Sequence, residues 1–295
     1  NYVWFVRAAI LDKFPFKEEN FTTNIKDLIN FKSDAIFVPG NEVPYYLRGV
    51  KTQVFHGLAG EKKGHFRIRS YFDLYLTQGP YFTKWFSKAA AKHKNFSVVE
   101  TGWPKLDVYG KELHKYDLEK QDLLNTSNSK QIILYAPTFS PSLTSARFLS
   151  TEIEELAANK NYLIVIKFHD LMAKDLINQY KNIANKFSNI LFVQERNIIK
   201  YLLIADLMIS DTSSVVYEFL LLDKPVLTFK NYSSNILWDN SLSYRNLVQK
   251  VAENLTVDPF KGKRANILKE HHPYMDGNSA LRMVDAVEAY ISENG

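Results

Sequence analysis

Cysteine is absent from this chain of 295 residues. A disulfide framework, a thiolate metal site and a thiol nucleophile are therefore excluded, which fits a reducing compartment. No apolar run approaches the roughly 18 residues that a membrane span needs, and no signal peptide is present. The chain opens on Asn1 without a methionine, so a trimmed piece is expected, with anything upstream, a membrane anchor included, out of view. The Walker motif, the G-x-G-x-x-G fingerprint and Gly-x-Ser-x-Gly are all missing. The histidines lack the short spacing of zinc motifs, and no paired carboxylates suggest magnesium. The expectation is an absence of metal and of cofactor.

What remains is a globular composition, 46% hydrophobic and 23% charged, without low-complexity runs or a fixed repeat. Aromatics reach 14%, with 20 Phe and 17 Tyr, which implies large cores or a stacking site. The net charge of +5 is modest for a nucleic-acid binder, which gathers its charge into a stripe. The densest basic patch, Lys62, Lys63, Arg67 and Arg69 with His65, reads either as a solvated loop or as a contact for a polyanionic acceptor or anionic lipid.

Short apolar runs alternate with longer amphipathic ones, the pattern of parallel α/β architecture. Strands are expected at Tyr2–Val6, Ala35–Val38, Thr52–Phe55, Leu74–Thr77 and Val98–Thr101. A second set is expected at Gln131–Tyr135, Tyr162–Ile166, Ile190–Val193, Leu207–Ile209 and Val226–Phe229. Helices are expected at Thr151–Asn159, Lys174–Lys186, Ile198–Ile204, Val215–Leu222 and Ser279–Glu293. The length suits two domains of ordinary size. Residues 1–120 read as a first, acceptor-side domain and 121–278 as a second, donor-side domain, with 279–295 a helix packing back on the first.

Several strands end in polar or glycine residues, where open α/β sheets place ligands. Leu207–Ile209 runs into Ser210-Asp211-Thr212-Ser213-Ser214 and then a helix, so unpaired N–H groups, hydroxyls and the helix dipole would meet at a phosphate. The plainer reading is an N-cap. His56 precedes Gly57 at a strand end, with a ring suited to proton transfer near neutral pH or simply satisfied by a loop hydrogen bond. Lys167 and His169 alternate at another strand end and would project to one side, toward a pyrophosphate or as a polar terminus.

In order along the chain stand Lys51-Thr52-Gln53-Val54-Phe55-His56-Gly57, Thr77-Gln78-Gly79-Pro80, Thr101-Gly102-Trp103-Pro104-Lys105-Leu106-Asp107 and Tyr135-Ala136-Pro137-Thr138-Phe139. Ile166-Lys167-Phe168-His169, the Ser210–Ser214 turn, Tyr217-Glu218-Phe219 and Asp223-Lys224-Pro225-Val226 follow. This series resembles the CDP-glycerol glycerophosphotransferase family, the teichoic-acid polymerases and primases, over about residues 35 to 230.

The resemblance implies a GT-B-like fold of two Rossmann-like, doubly wound domains facing a cleft. It implies transfer of glycerol phosphate, or a related polyol phosphate such as ribitol phosphate, from a CDP-activated donor, with release of CMP. His56 would be the general base toward the acceptor hydroxyl, and His169 would stabilise the pyrophosphate. Asp211, Thr212, Ser213 and Ser214, with Lys167, would hold the donor phosphates without a metal, and Thr138 and Glu218 would hold the nucleotide. The implied partners are the CDP-polyol and a polyol-phosphate or lipid-linked glycan acceptor, with no nucleic acid, in teichoic-acid or capsule synthesis at the inner face of the cytoplasmic membrane. Asp170 stands where the family usually has proline; it would either raise the pKa of His169 by charge proximity or signal a different donor, such as CDP-ribitol or a nucleotide sugar. Alternatives of other classes are a GT-B glycosyltransferase using a nucleotide sugar, a UDP-sugar 2-epimerase, and a non-catalytic nucleotide-binding protein.

Overall fold

The structure, a computed structural model, describes residues 1–58, 65–69, 71–233 and 236–294, so Lys62 and Lys63 of the basic patch lie outside the described residues. Two compact units result. The first comprises the chain up to His56, Phe66–Trp103 and the C-terminal residues from Asn278 on; the second comprises Pro104–Gly277 together with Gly57, Leu58 and His65.

The first unit begins with β1 (Trp4–Phe5), β2 (Phe21–Thr22), α1 (Ile25–Phe31), β3 (Ala35–Val38), β4 (Val50–Gln53), β5 (Leu74–Thr77), α2 (Pro80–His93) and β6 (Ser97–Glu100). β1 and β2 form a small sheet of their own, while β3-β4-β5-β6 form a parallel sheet in sequential order. The strand expected at Tyr2–Val6 thus shrinks to two residues outside the main sheet. β4 starts and ends two residues earlier than expected, because Phe55 takes a left-handed conformation (φ 60°) that breaks the ladder. Just before β4, Gly49 has φ 93°, and a Cβ there would meet the Ser33 carbonyl oxygen at 2.4 Å, so only glycine fits.

Alternation along β5 separates the two faces of this sheet. Leu74 and Leu76 pack with Met283 and Val287 of the C-terminal helix. Tyr75 points the other way, its ring 5.0 Å from Phe86 of α2. The sequence reading places no element over Pro80–His93, which forms α2. Pro80 at the first helical position and the left-handed Lys94 at its end bound it, and Phe82 and Phe86 bury its inner face.

The second unit contains α3 (Asp107–Lys111), α4 (Asp117–Ser127), β7 (Gln131–Tyr135), α5 (Ser150–Ala157), β8 (Tyr162–Lys167), α6 (Lys174–Lys186) and β9 (Ile190–Val193). Then come α7 (Ile199–Ile204), β10 (Leu207–Ser210), α8 (Val215–Leu220), β11 (Val226–Phe229), β12 (Asp239–Ser241), α9 (Leu247–Thr256) and α10 (Lys261–His271). The chain then returns to the first unit as α11 (Ser279–Asn294).

All six strands of the second sheet are parallel, in the order β12-β11-β10-β7-β8-β9. β8, β10 and β11 are buried throughout, as expected for a parallel sheet covered on both faces. Side chains of α5, α6 and α9 fill one face, with Ile153, Leu176, Tyr180 and Val251 packed on Ile164, Ile209 and Phe229.

The boundary between units falls between Trp103 and Pro104, not at residues 120/121. Side chains decide this. Lys105 pairs with Glu218 at 2.7 Å, the Tyr109 hydroxyl donates to the Glu218 carbonyl, and Lys120 pairs with Asp206.

Candidate active site

In the second sheet the chain moves from β7 outward through β8 to β9, then crosses back to place β10 on the other side of β7. The connections after β7 and β10 therefore leave in opposite directions and open a crevice at the carboxyl edge, the position where doubly wound sheets hold ligands. Residues 136–145 and 211–214 are those connections.

Asp211 lies at the centre of this edge and is fully buried. Its carboxylate accepts from the Thr138 N–H at 2.8 Å, the Ser145 N–H at 2.7 Å and the Ser145 hydroxyl at 2.9 Å. Burial pushes its pKa up to about 6, against the pull of those donors. These bonds tie the β7 loop to the β10 turn. The Thr138 N–H is spent in the same contact. Lys167, expected to face a pyrophosphate, is buried too and donates to the Phe168 carbonyl at 2.9 Å, with burial lowering its pKa.

Thr212, Ser213 and Ser214 are half-buried at the mouth of the turn. The Thr212 hydroxyl oxygen is buried without a hydrogen-bond partner, a cost that a ligand oxygen would relieve. Glu218, expected near the ribose, is buried beneath Lys105 in the 2.7 Å ion pair.

His169, at the end of β8, packs on Phe139 of the β7 loop with ring centroids 4.5 Å apart. Its Nδ1 accepts the Leu171 N–H at 3.1 Å. A backbone N–H can only donate, so Nδ1 carries no proton and the neutral ring bears its hydrogen on Nε2. Burial lowers the pKa of His169 and outweighs the opposite pull of Asp170. The Asp170 carboxylate does raise it, as expected, but less than burial lowers it; that carboxylate is also paired with Arg196 at 3.1 Å.

In the first unit, His56 follows β4 and is exposed. Its Nδ1 lies 2.8 Å from the Pro39 carbonyl oxygen. A carbonyl can only accept, so Nδ1 carries the proton and Nε2 keeps a free lone pair. The two histidines thus hold opposite tautomers: His56 presents an acceptor nitrogen, a base, and His169 presents a donor.

Gln53 is the residue that sequence reasoning passed over. It is buried, donates from Nε2 to the Gly40 carbonyl (2.7 Å) and Asn41 Oδ1 (2.9 Å), and accepts the Phe55 N–H at 3.1 Å. It therefore clamps the turn carrying Pro39 to the turn carrying His56. Of the described basic residues of the patch, Arg69 is paired with Glu42 at 2.5 Å and Arg67 is exposed. Among the described residues, no group of His, Asp and Glu is arranged to hold a metal ion.

The sequence profile of the family described as CDP-glycerol:poly(glycerophosphate) glycerophosphotransferase matches residues 49–289. The chain is 26% identical over 216 residues to a teichoic acid poly(glycerol phosphate) polymerase of Bacillus spizizenii, covering 70% of this chain and 49% of that protein. It is 29% identical over 323 residues to the teichoic acid ribitol-phosphate polymerase TarL of Staphylococcus aureus, covering 94% and 54%. The chain thus spans about half the length of these curated relatives. Among solved structures, the wall teichoic acid polymerase TagF superposes with a TM-score of 0.64 at 18% identity, covering 88% of this chain and 73% of that one. The UDP-GlcNAc 2-epimerase of Neisseria meningitidis superposes at 0.66 and 16%, covering 90% and 78%. At such identities these likenesses show a shared GT-B-like fold.

Proposed function

Because the chain belongs to the CDP-glycerol:poly(glycerophosphate) glycerophosphotransferase family, we propose that it transfers a polyol phosphate, glycerol phosphate first among candidates, from a CDP-activated donor to an acceptor hydroxyl. The observation that carries this reading is that the matched region 49–289 contains both His56 and His169, each beyond the carboxyl end of a parallel strand and each held in the tautomer its role requires.

In this reading His56 Nε2 takes the proton of the acceptor hydroxyl. The oxygen attacks the β-phosphorus, forming a new phosphodiester bond as the bond from that phosphorus to the bridging oxygen breaks. CMP departs with the bridging oxygen. His169 donates its Nε2–H to the departing phosphate, and Thr212, Ser213 and Ser214 contact the diphosphate. Catalysis then rests on positioning and charge stabilisation rather than on a covalent enzyme intermediate. The acceptor is a polyol-phosphate or lipid-linked glycan end, met at the inner face of the cytoplasmic membrane. No described helix is long and apolar enough to cross a membrane.

Incubation with CDP-glycerol, CDP-ribitol or UDP-GlcNAc and an acceptor, with CMP and UDP quantified, tests the reading. CMP release from a CDP-polyol, lost in His56→Ala and reduced in His169→Ala and Ser213→Ala, supports it. Turnover of the uridine sugar alone would replace it with glycosyl transfer or epimerisation.

A further inference from the structure

β8 and β9 run side by side to their carboxyl ends, where Lys167 pairs with Val193 in the last register of the ladder. Beyond it His169 and Asp170 leave one strand, and Glu195 and Arg196 leave the other. A direct contact joins the two exits: Arg196 Nε lies 3.1 Å from Asp170 Oδ2, an ion pair between half-exposed side chains.

Asp170 occupies a particular place in a turn. The Met172 N–H donates to the His169 carbonyl at 2.9 Å, which closes a four-residue β-turn with Asp170 as its second residue. His169 opens that turn, and its Nδ1 accepts the N–H of Leu171, the third residue, at 3.1 Å. An Asp or Asn side chain makes the same bond when it begins a turn; here an imidazole makes it. Ring orientation and turn conformation are therefore coupled. A turn that opens carries the Leu171 N–H away from Nδ1 and releases the tautomer. Phe139, whose ring centroid is 4.5 Å from that of His169, borders the imidazole without a hydrogen bond to hold it.

The second position of such a turn favours proline, because the pyrrolidine ring presets φ. Asp170 has no such restraint of its own. The contact with Arg196 supplies one from outside, by tying the side chain at that position to the exit of the neighbouring strand.

We propose that Asp170 and Arg196 are positioning residues for His169: their ion pair holds the 169–172 turn closed, and the turn aims the ring and keeps its hydrogen on Nε2. The pair acts through the turn, without touching substrate. The proposal takes the role of His169 from the donor reading above, whereas the turn, the pair and the ring contact stand independently of it.

Nitrogen-15 NMR of the His169 ring at about pH 8, where the imidazole is neutral, tests it, with CMP release followed in parallel. The variants are Arg196→Met, Asp170→Ala, Asp170→Pro and Asp170→Pro combined with Arg196→Met. Wild type is expected to show the Nε2–H tautomer. Arg196→Met and Asp170→Ala should each let an Nδ1–H form appear. Each should also lower kcat by about two- to fivefold, the worth of a half-exposed ion pair, at unchanged donor KM. Asp170→Pro should keep the wild-type tautomer, since among the described residues the Asp170 N–H donates no hydrogen bond and proline supplies φ directly. Adding Arg196→Met to Asp170→Pro should then change nothing. A wild-type ring spectrum in both Arg196→Met and Asp170→Ala overturns the proposal, whether or not the proline variant folds. A loss on adding Arg196→Met to Asp170→Pro overturns it too, because Arg196 would then act otherwise than through the turn. If the tautomer responds to Arg196 while wild type turns over no CDP-polyol, the positioning stands and the donor reading falls.

Discussion

The Nδ1 nitrogen of His56 lies 2.8 Å from the carbonyl oxygen of Pro39, and that contact leaves Nε2 as the nitrogen able to accept a proton. His56→Ala is expected to lower the rate of CMP release by about 10²- to 10⁴-fold, the usual worth of a general base, with CDP-glycerol affinity unchanged. A rate within a few-fold of wild type would remove His56 from the chemistry.

Gln53 holds that arrangement from behind, bridging Gly40 and Asn41 to the Phe55 N–H. Gln53→Met keeps the volume and loses all three bonds. The expected result is a kcat reduced about tenfold at unchanged donor KM, because the ring is misplaced rather than removed. Nitrogen-15 NMR of the His56 ring should show the Nδ1–H tautomer giving way to a mixture. An unchanged tautomer ratio would mean that Gln53 supports the fold alone.

Asp211 and His271 should oppose one another in the pH dependence of stability. Burial raises Asp211 from 3.8 to about 6, so between those values the folded state binds more protons and stability falls as pH rises. Burial lowers His271 from 6.5 to about 4, so over nearly the same window the unfolded state binds more protons and stability rises with pH. Each shift corresponds to about 3 kcal/mol at most. Denaturant titrations from about pH 4 to 6.5 should show stability climbing with pH in Asp211→Asn and falling in His271→Phe. Parallel profiles in both variants would contradict the opposition.

Lys105 covers the buried carboxylate of Glu218 at 2.7 Å. Removing the cation alone leaves an unpaired buried charge, so Lys105→Met should destabilise the protein by about 2–4 kcal/mol. Adding Glu218→Gln to Lys105→Met should recover much of that loss. A double variant no more stable than the single one would show that the pair is not coupled.

Most of the parallel α/β framework is readable from local pattern. The strands Ala35–Val38, Leu74–Thr77, Gln131–Tyr135, Ile190–Val193 and Val226–Phe229 stand where their apolar runs place them. The helix over Pro80–His93 was hidden because Phe82, Trp85 and Phe86 have strand propensity, and packing against Tyr75 overrides it. The helices Leu247–Thr256 and Lys261–His271 also went without a sequence assignment; they pack on α5 and α8 respectively.

By itself the sequence determined the fold class and the family, because hydrophobic periodicity and short motifs are local properties of the chain. Only the tertiary structure decided which polar groups face inward. Asp211 and Lys167 belong to motifs that suggest phosphate contact, and the fold buries both and bonds them to Thr138, Ser145 and Phe168. The tautomers of His56 and His169 depend on one carbonyl and one N–H. Direction, partner and protonation are set by groups distant in sequence or by the local turn geometry, and no residue type encodes them alone.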